Sequence, residues 1–234
     1  MLKINYANHF RRTLTGLSLI AAPLVGLISA VSLPKFGGDF SGEIAFIAQH
    51  PARWMFGSFL LLVSFLLFIP ATLGIMHLLR YRSVALGHIG AGLLIVGSFF
   101  HGAIIGFALV EVPLATSGIE QPQLLALMDQ LFAHPAFSML LIPFTGFFLG
   151  LLTLSAAMWR ARITARWVPV CIIAGAGSIF IGPESFDNEL MFTFFLLSFG
   201  YIGLHILRMS DMQWEKQRIE TIEEDLAPHL APVR

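Results

Sequence analysis

The sequence predicts an all-α, polytopic integral membrane protein: a six-transmembrane-helix bundle with both termini cytoplasmic (N-in/C-in) and a charged tail. Three observations carry this prediction. Hydrophobic residues make up 56% of the 234 residues and charged residues only 12%, about half the charged share of an ordinary soluble domain. Six stretches contain no Asp, Glu, Lys or Arg and approach or exceed the roughly 20 residues that a helix needs to cross a bilayer core about 30 Å thick. The basic residues cluster in alternate loops. The same composition excludes several classes. The chain is too apolar to be disordered. Its 14 basic and 14 acidic residues leave no excess positive charge for a nucleic-acid partner. Cys171 is the sole cysteine, so there is no disulfide framework.

The six spans fall at about 14–33, 54–79, 84–110, 136–159, 167–182 and 190–207. They define a transmembrane domain of 1–210 followed by a tail of 211–234. Long apolar runs without period-two alternation select helices over barrel strands. The first span follows Lys3, Arg11 and Arg12 and is longer than a signal-peptide apolar region, so it is expected to remain as a span. Pro23 lies inside it, where a neighbouring helix can satisfy the freed backbone group. The second and fourth spans follow the matching tripeptides His50-Pro51-Ala52 and His134-Pro135-Ala136. With Met55 and Met139, and with Arg82-x-Val84 and Arg166-x-Val168, these matches suggest a tandem two-helix repeat of the kind found in small transporters. Chance matches among small and apolar residues are the alternative. The third span carries Ser98, Gly102 and Gly106 at spacing four, and the fourth carries Gly146 and Gly150. Such small-residue faces let helices approach closely, inside the bundle or across a homodimer seam.

The fifth span reaches only about 24 Å before Gly182-Pro183 stops it. The following acids, Glu184, Asp187 and Glu189, are therefore expected to sit low at the outer boundary, beside a water-filled recess. Beyond the sixth span, Met212, Ile219, Ile222 and Leu226 line one side of a charged amphipathic helix. Orientation follows from the loops. Twelve of the 14 basic residues lie in the N-terminal segment, the turns after spans two and four, and the tail. Only Lys35 and Arg53 fall on the opposite side, together with eight acids. By the positive-inside rule the basic side is cytoplasmic in a bacterial-type inner membrane.

The function classes narrow next. No charged residue lies inside a span, which argues against a proton-coupled transporter and against a retinal Schiff base. No nucleotide-binding glycine loop, zinc-protease motif or serine-nucleophile elbow is present. The histidines and outer acids remain. His101 lies about 26 Å from the inner end of the third span, beside Gly102 and on the packed side. The recess is expected to hold His101, Glu111, Glu184 and Asp187, with His50 and His134 at its rim.

A set such as His50, His101, His134, Glu184 and Asp187 suits a divalent metal. Alternatively, Glu111, Glu184 or Asp187 in a partly apolar cavity suits a general acid acting on a lipid or isoprenoid substrate. A third reading makes these acids solvated loop residues. A haem b needs two histidines at one depth on facing helices. His77, His88 and His205 offer such a pair on the inner side, and His101 with His50 or His134 offers one on the outer side. The leading expectation is a non-enzymatic membrane protein. It would bind a small ligand or ion in an outer-facing recess, or act as an accessory subunit of a membrane complex. Its partners would be the lipid bilayer, a small ligand or lipid, and a second copy or a larger complex.

Overall fold

The computed structural model describes residues 2–36, 40–181 and 186–216. Every element among them is a helix. Five are long and apolar enough to cross a membrane: α1 (Leu2–Ser32, apolar over Ala7–Ser32), α3 (Pro51–Leu79), α4 (Val84–Ala115), α6 (Pro135–Ala161) and α8 (Asp187–Arg208). A sixth apolar helix, α7 (Trp167–Ile181), has 15 residues and reaches only about 22 Å. The predicted short fifth span is therefore present as a helix, but below spanning length. Three further helices are α2 (Phe40–Gln49), α5 (Gln121–Ala133) and α9 (Asp211–Lys216).

α1, α3, α4, α6, α7 and α8 close a ring in which each packs on its two neighbours, and α8 returns to α1. At the centre, Phe68 meets the edges of Phe147, Phe195 and Phe199 at centroid separations of 5.4, 6.1 and 5.7 Å. All four rings are fully buried. Edge-to-face packing of this kind adds to the area they bury. Two buried hydroxyls tie neighbouring helices together: Ser29 Oγ donates to Gly57 O at 2.8 Å, and Ser64 Oγ donates to Ala22 O at 2.7 Å. The outer shell is apolar, with Phe56, Phe99, Ile142 and Phe180 exposed, as a surface facing acyl chains requires.

The α4–α6 contact is made by glycines. A Cβ on Gly97 would lie 2.0 Å from the Phe147 amide nitrogen, and one on Gly150 would lie 2.5 Å from that of Leu94. Gly146 and Gly150 thus serve the internal packing the sequence predicts. Of the predicted α4 stripe, Ser98 and Gly102 are buried, with Gly102 facing Leu62 of α3, while nothing lies within 4 Å of a Cβ on Gly106. The α4 face that meets α6 carries Gly90 and Gly97 instead. Helix rotation decides which small-residue face is used, and a charge-free helix leaves that rotation unmarked in sequence.

The tripeptides His50-Pro51-Ala52 and His134-Pro135-Ala136 mark the starts of α3 and α6, with the histidine at the N-cap and proline at the first position. Proline is suited there because its missing N–H would be unpaired anyway. His134 Nδ1 accepts from the Ala136 amide at 3.2 Å.

The region between α1 and α3 and the region between α4 and α6, expected as loops, hold the helices α2 and α5. Ile44, Leu124 and Met128 form a buried cluster with Phe107 of α4, and Ile47 packs on Trp54 and Val112. The spacings of Ile44 with Ile47 and of Leu124 with Met128 are the amphipathic signal. Both helices are too short and too polar to register as spans. At the opposite end α9 folds back on α1, with Trp214 buried and Asp211 paired to Arg12 at 3.2 Å and to His9 at 3.4 Å. The rest of the expected tail helix, with Ile219, Ile222 and Leu226, lies outside the described residues.

Candidate functional site

A cavity of about 440 Å3 opens between α3, α4, α6, α7 and α8, in the half of the bundle away from α9. Its walls are aromatic, with Phe65 from α3, Phe144 and Phe148 from α6, and Phe180 from α7. Residues 144, 147 and 148 stand at helical spacing, which turns all three phenyl groups to one face of α6. Polar groups come from His101 of α4, Thr145 of α6, and Asp187 and Asn188 at the start of α8. This is the composition of a small-molecule site: mostly apolar walls with few polar groups.

His101 is buried, and its ring is stacked between Phe65 and Phe144, at centroid distances of 4.3 and 3.7 Å. Its Nδ1 lies 2.9 Å from the carbonyl oxygen of Gly97, one turn earlier on α4. A carbonyl only accepts, so Nδ1 carries the hydrogen. The neutral ring then presents an unshared electron pair at Nε2. A hydroxyl donor matches that group.

Asp187 is held as one half of an ion pair. Lys35, in the segment after α1, donates to Asp187 Oδ1 at 2.9 Å and also to Glu189. The Asn188 amide donates to the same Oδ1 at 2.7 Å. Burial draws the Lys35 amine down, but the bonds to Glu189 and Asp187 outweigh it and hold its pKa above the usual 10.5. The structure thus joins one of the two expected outer cations to two of the outer acids.

The other predicted site residues separate. Glu111 is buried, but it lies near Glu43 of α2 and does not line the aromatic cavity. Its Oε2 has no hydrogen-bond partner. The expected grouping of His101, Glu111 and Asp187 in one recess is corrected accordingly, because α2 packs on α4 beside Glu111, near the C-terminal end of α4. Glu184 lies outside the described residues. His50 lies against Phe46, with ring centroids 4.9 Å apart and the planes tilted by 53°, and His134 caps α6; both stand at helix starts and away from the cavity lining. Among the described residues no three His, Cys, Asp or Glu side chains come together to hold a metal ion. Of the expected metal set, His50 and His134 stand at the starts of α3 and α6, apart from His101 and Asp187, which line the aromatic cavity.

The histidines offered for haem also divide. His77 and His88 line one cleft at the α9 end of the bundle, and His205 lines another with Tyr201 and Met209. His77 is stacked on Trp214 at 4.4 Å and bonded to Arg80 at 2.9 Å.

Sequence reasoning missed Phe65, Phe144, Phe148 and Phe180, and it missed Lys35 as a partner. The chain holds 22 phenylalanines, so no single one stands out without knowing which helices meet.

The fold and the cavity together define a class: an all-helical protein with five helices long and apolar enough to cross a membrane, packed around an aromatic, ligand-sized cavity. Compared with known proteins, the chain matches no family model, no curated protein and no solved structure.

Proposed function

We propose that this chain is a six-span inner-membrane protein that binds an elongated lipophilic molecule carrying a hydroxyl group, such as an isoprenoid or long-chain alcohol or a quinol. The observation that carries the reading is His101: a buried imidazole with Nδ1 engaged, stacked between two phenyl rings in the wall of a largely apolar cavity. The apolar body of such a ligand would bury its surface against Phe144, Phe148 and Phe180, and its hydroxyl would donate to Nε2. Binding is favoured over turnover, because the carboxylate at this cavity, Asp187, is already paired with Lys35. The basic end is assigned to the cytoplasm from the distribution of Lys and Arg, which directs the cavity to the outer leaflet.

The test is mass spectrometry of organic extracts from the purified protein and from a His101→Phe variant. The wild type is expected to retain a hydroxylated lipophile in near-stoichiometric amount. The variant, which keeps the ring but loses the acceptor, is expected to bind it about tenfold or more weakly, the cost of leaving a buried hydroxyl unpaired. Equal retention by the two proteins, or no retained lipophile, overturns the reading.

A further inference from the structure

At the opposite end of the bundle, a second cleft of about 310 Å3 lies between the start of α1, the end of α3, the start of α4 and α9. Its lining contains Arg11, Arg80, His77, His88 and Trp214, and no acidic residue. Leu14 and Leu73 continue the lining onto the exposed apolar surface of α1 and α3. One side of the cleft is therefore cationic and the other is the surface that acyl chains would touch.

Local contacts build the cationic side. Arg80 Nη1 lies 2.9 Å from His77 Nδ1, and a guanidinium can only donate. His77 in turn stacks on Trp214 at an interplanar angle of 15°. The Arg80 group also lies over Tyr81, 4.9 Å from the ring centroid. These contacts order a side chain that carries considerable rotamer entropy when free. Even so, Arg80 Nη2 is buried without a hydrogen-bond partner, an expensive arrangement for a charged donor. Asp211 is engaged by Arg12 and His9, and Glu215 lies outside the lining, within electrostatic reach of His77.

We infer that this cleft binds a phosphate-ester anion, held by Arg11 and Arg80 against the Trp214 wall. Guanidinium groups match phosphate oxygens in pairs, and basic pockets between membrane helices at the cytoplasmic surface suit anionic headgroups. Two sources share this chemistry: a phospholipid headgroup, with its chains running along Leu14 and Leu73, and a soluble phosphate.

The experiment uses the full chain, delipidated in neutral detergent. Thermal unfolding is followed while phosphatidylglycerol, phosphatidylcholine or inorganic phosphate is titrated in. A rise in the midpoint with phosphatidylglycerol but not with the other two assigns a lipid headgroup. A rise with inorganic phosphate as well assigns a phosphate site open to either source. In both cases Arg11→Gln/Arg80→Gln is expected to weaken the apparent affinity about 25-fold, at about fivefold for each cation removed. The single Arg11→Gln variant, in which an exposed side chain is changed, is expected to weaken it about fivefold and guards against a misfolded double variant. Arg160→Gln/Arg166→Gln, which removes two cations outside the cleft, is expected to leave the affinity unchanged. No midpoint shift with any of the three, an affinity unaffected by loss of Arg11 and Arg80, or an equal loss in the Arg160/Arg166 control overturns the proposal.

Discussion

At the scale of single residues, chemistry here follows from what each polar group is denied. His101 lies among phenyl rings and satisfies Nδ1 on its own helix, which makes Nε2 the acceptor that the proposed hydroxylated ligand would use. Glu43 shows the opposite case. Burial against α4 raises its pKa above the ordinary 4.5. A group whose folded pKa is raised stabilises the fold most when protonated, so its contribution is full below pH 4.5 and is lost as pH climbs through the raised value. Stability of the wild type measured by thermal unfolding is therefore expected to fall across that window, and Glu43→Gln is expected to flatten the decline. An unchanged slope in the variant would remove Glu43 as its source. The sequence marked His101 as packed, correctly, because it adjoins small residues. It could not reveal that Lys35 meets Asp187, 152 residues away, since an ion pair between distant segments leaves no local pattern.

At the scale of elements, glycine placement sets how closely α4 and α6 approach, and hence the shape of the cavity they wall. Gly97→Ala places a methyl group 2.0 Å from the Phe147 backbone. Overpacking of this kind costs about 1–3 kcal/mol. Because the Gly97 carbonyl also holds His101, ligand retention should drop along with the melting midpoint. Gly106→Ala meets nothing within 4 Å and is expected to be neutral or to stabilise by up to about 1 kcal/mol through helix propensity. Equal losses from the two variants would contradict the assigned crossing. The long helices were legible in sequence to within a few residues at most ends, because each is an apolar run closed by charges. The short α2 and α5 were not, because their buried faces amount to two residues each, Ile44 with Ile47 and Leu124 with Met128.

At the scale of the whole molecule, the closed ring puts α9, Arg80, Arg162 and His205 at one end and Lys35 and Asp187 at the other. If the basic end is cytoplasmic, a cysteine at the exposed Ser117, in a Cys171→Ala background, should react with a membrane-impermeant maleimide in intact cells. One at the exposed Arg82 should react only after permeabilisation. Labelling of both from the same side would refute the orientation. The sequence by itself determined the all-helical class, the positions of the apolar helices and the segregation of charge between alternate loops. These are local properties: a bilayer accepts only segments that satisfy their own backbone hydrogen bonds, and hydropathy reports such segments one at a time. The tertiary structure alone decided which helices are neighbours, which face each turns inward, and therefore that His101 and Asp187 share a cavity while Glu111 faces α2. Those outcomes depend on helix rotation and ring order, which uniformly apolar surfaces leave to the close packing of glycines and phenyl rings.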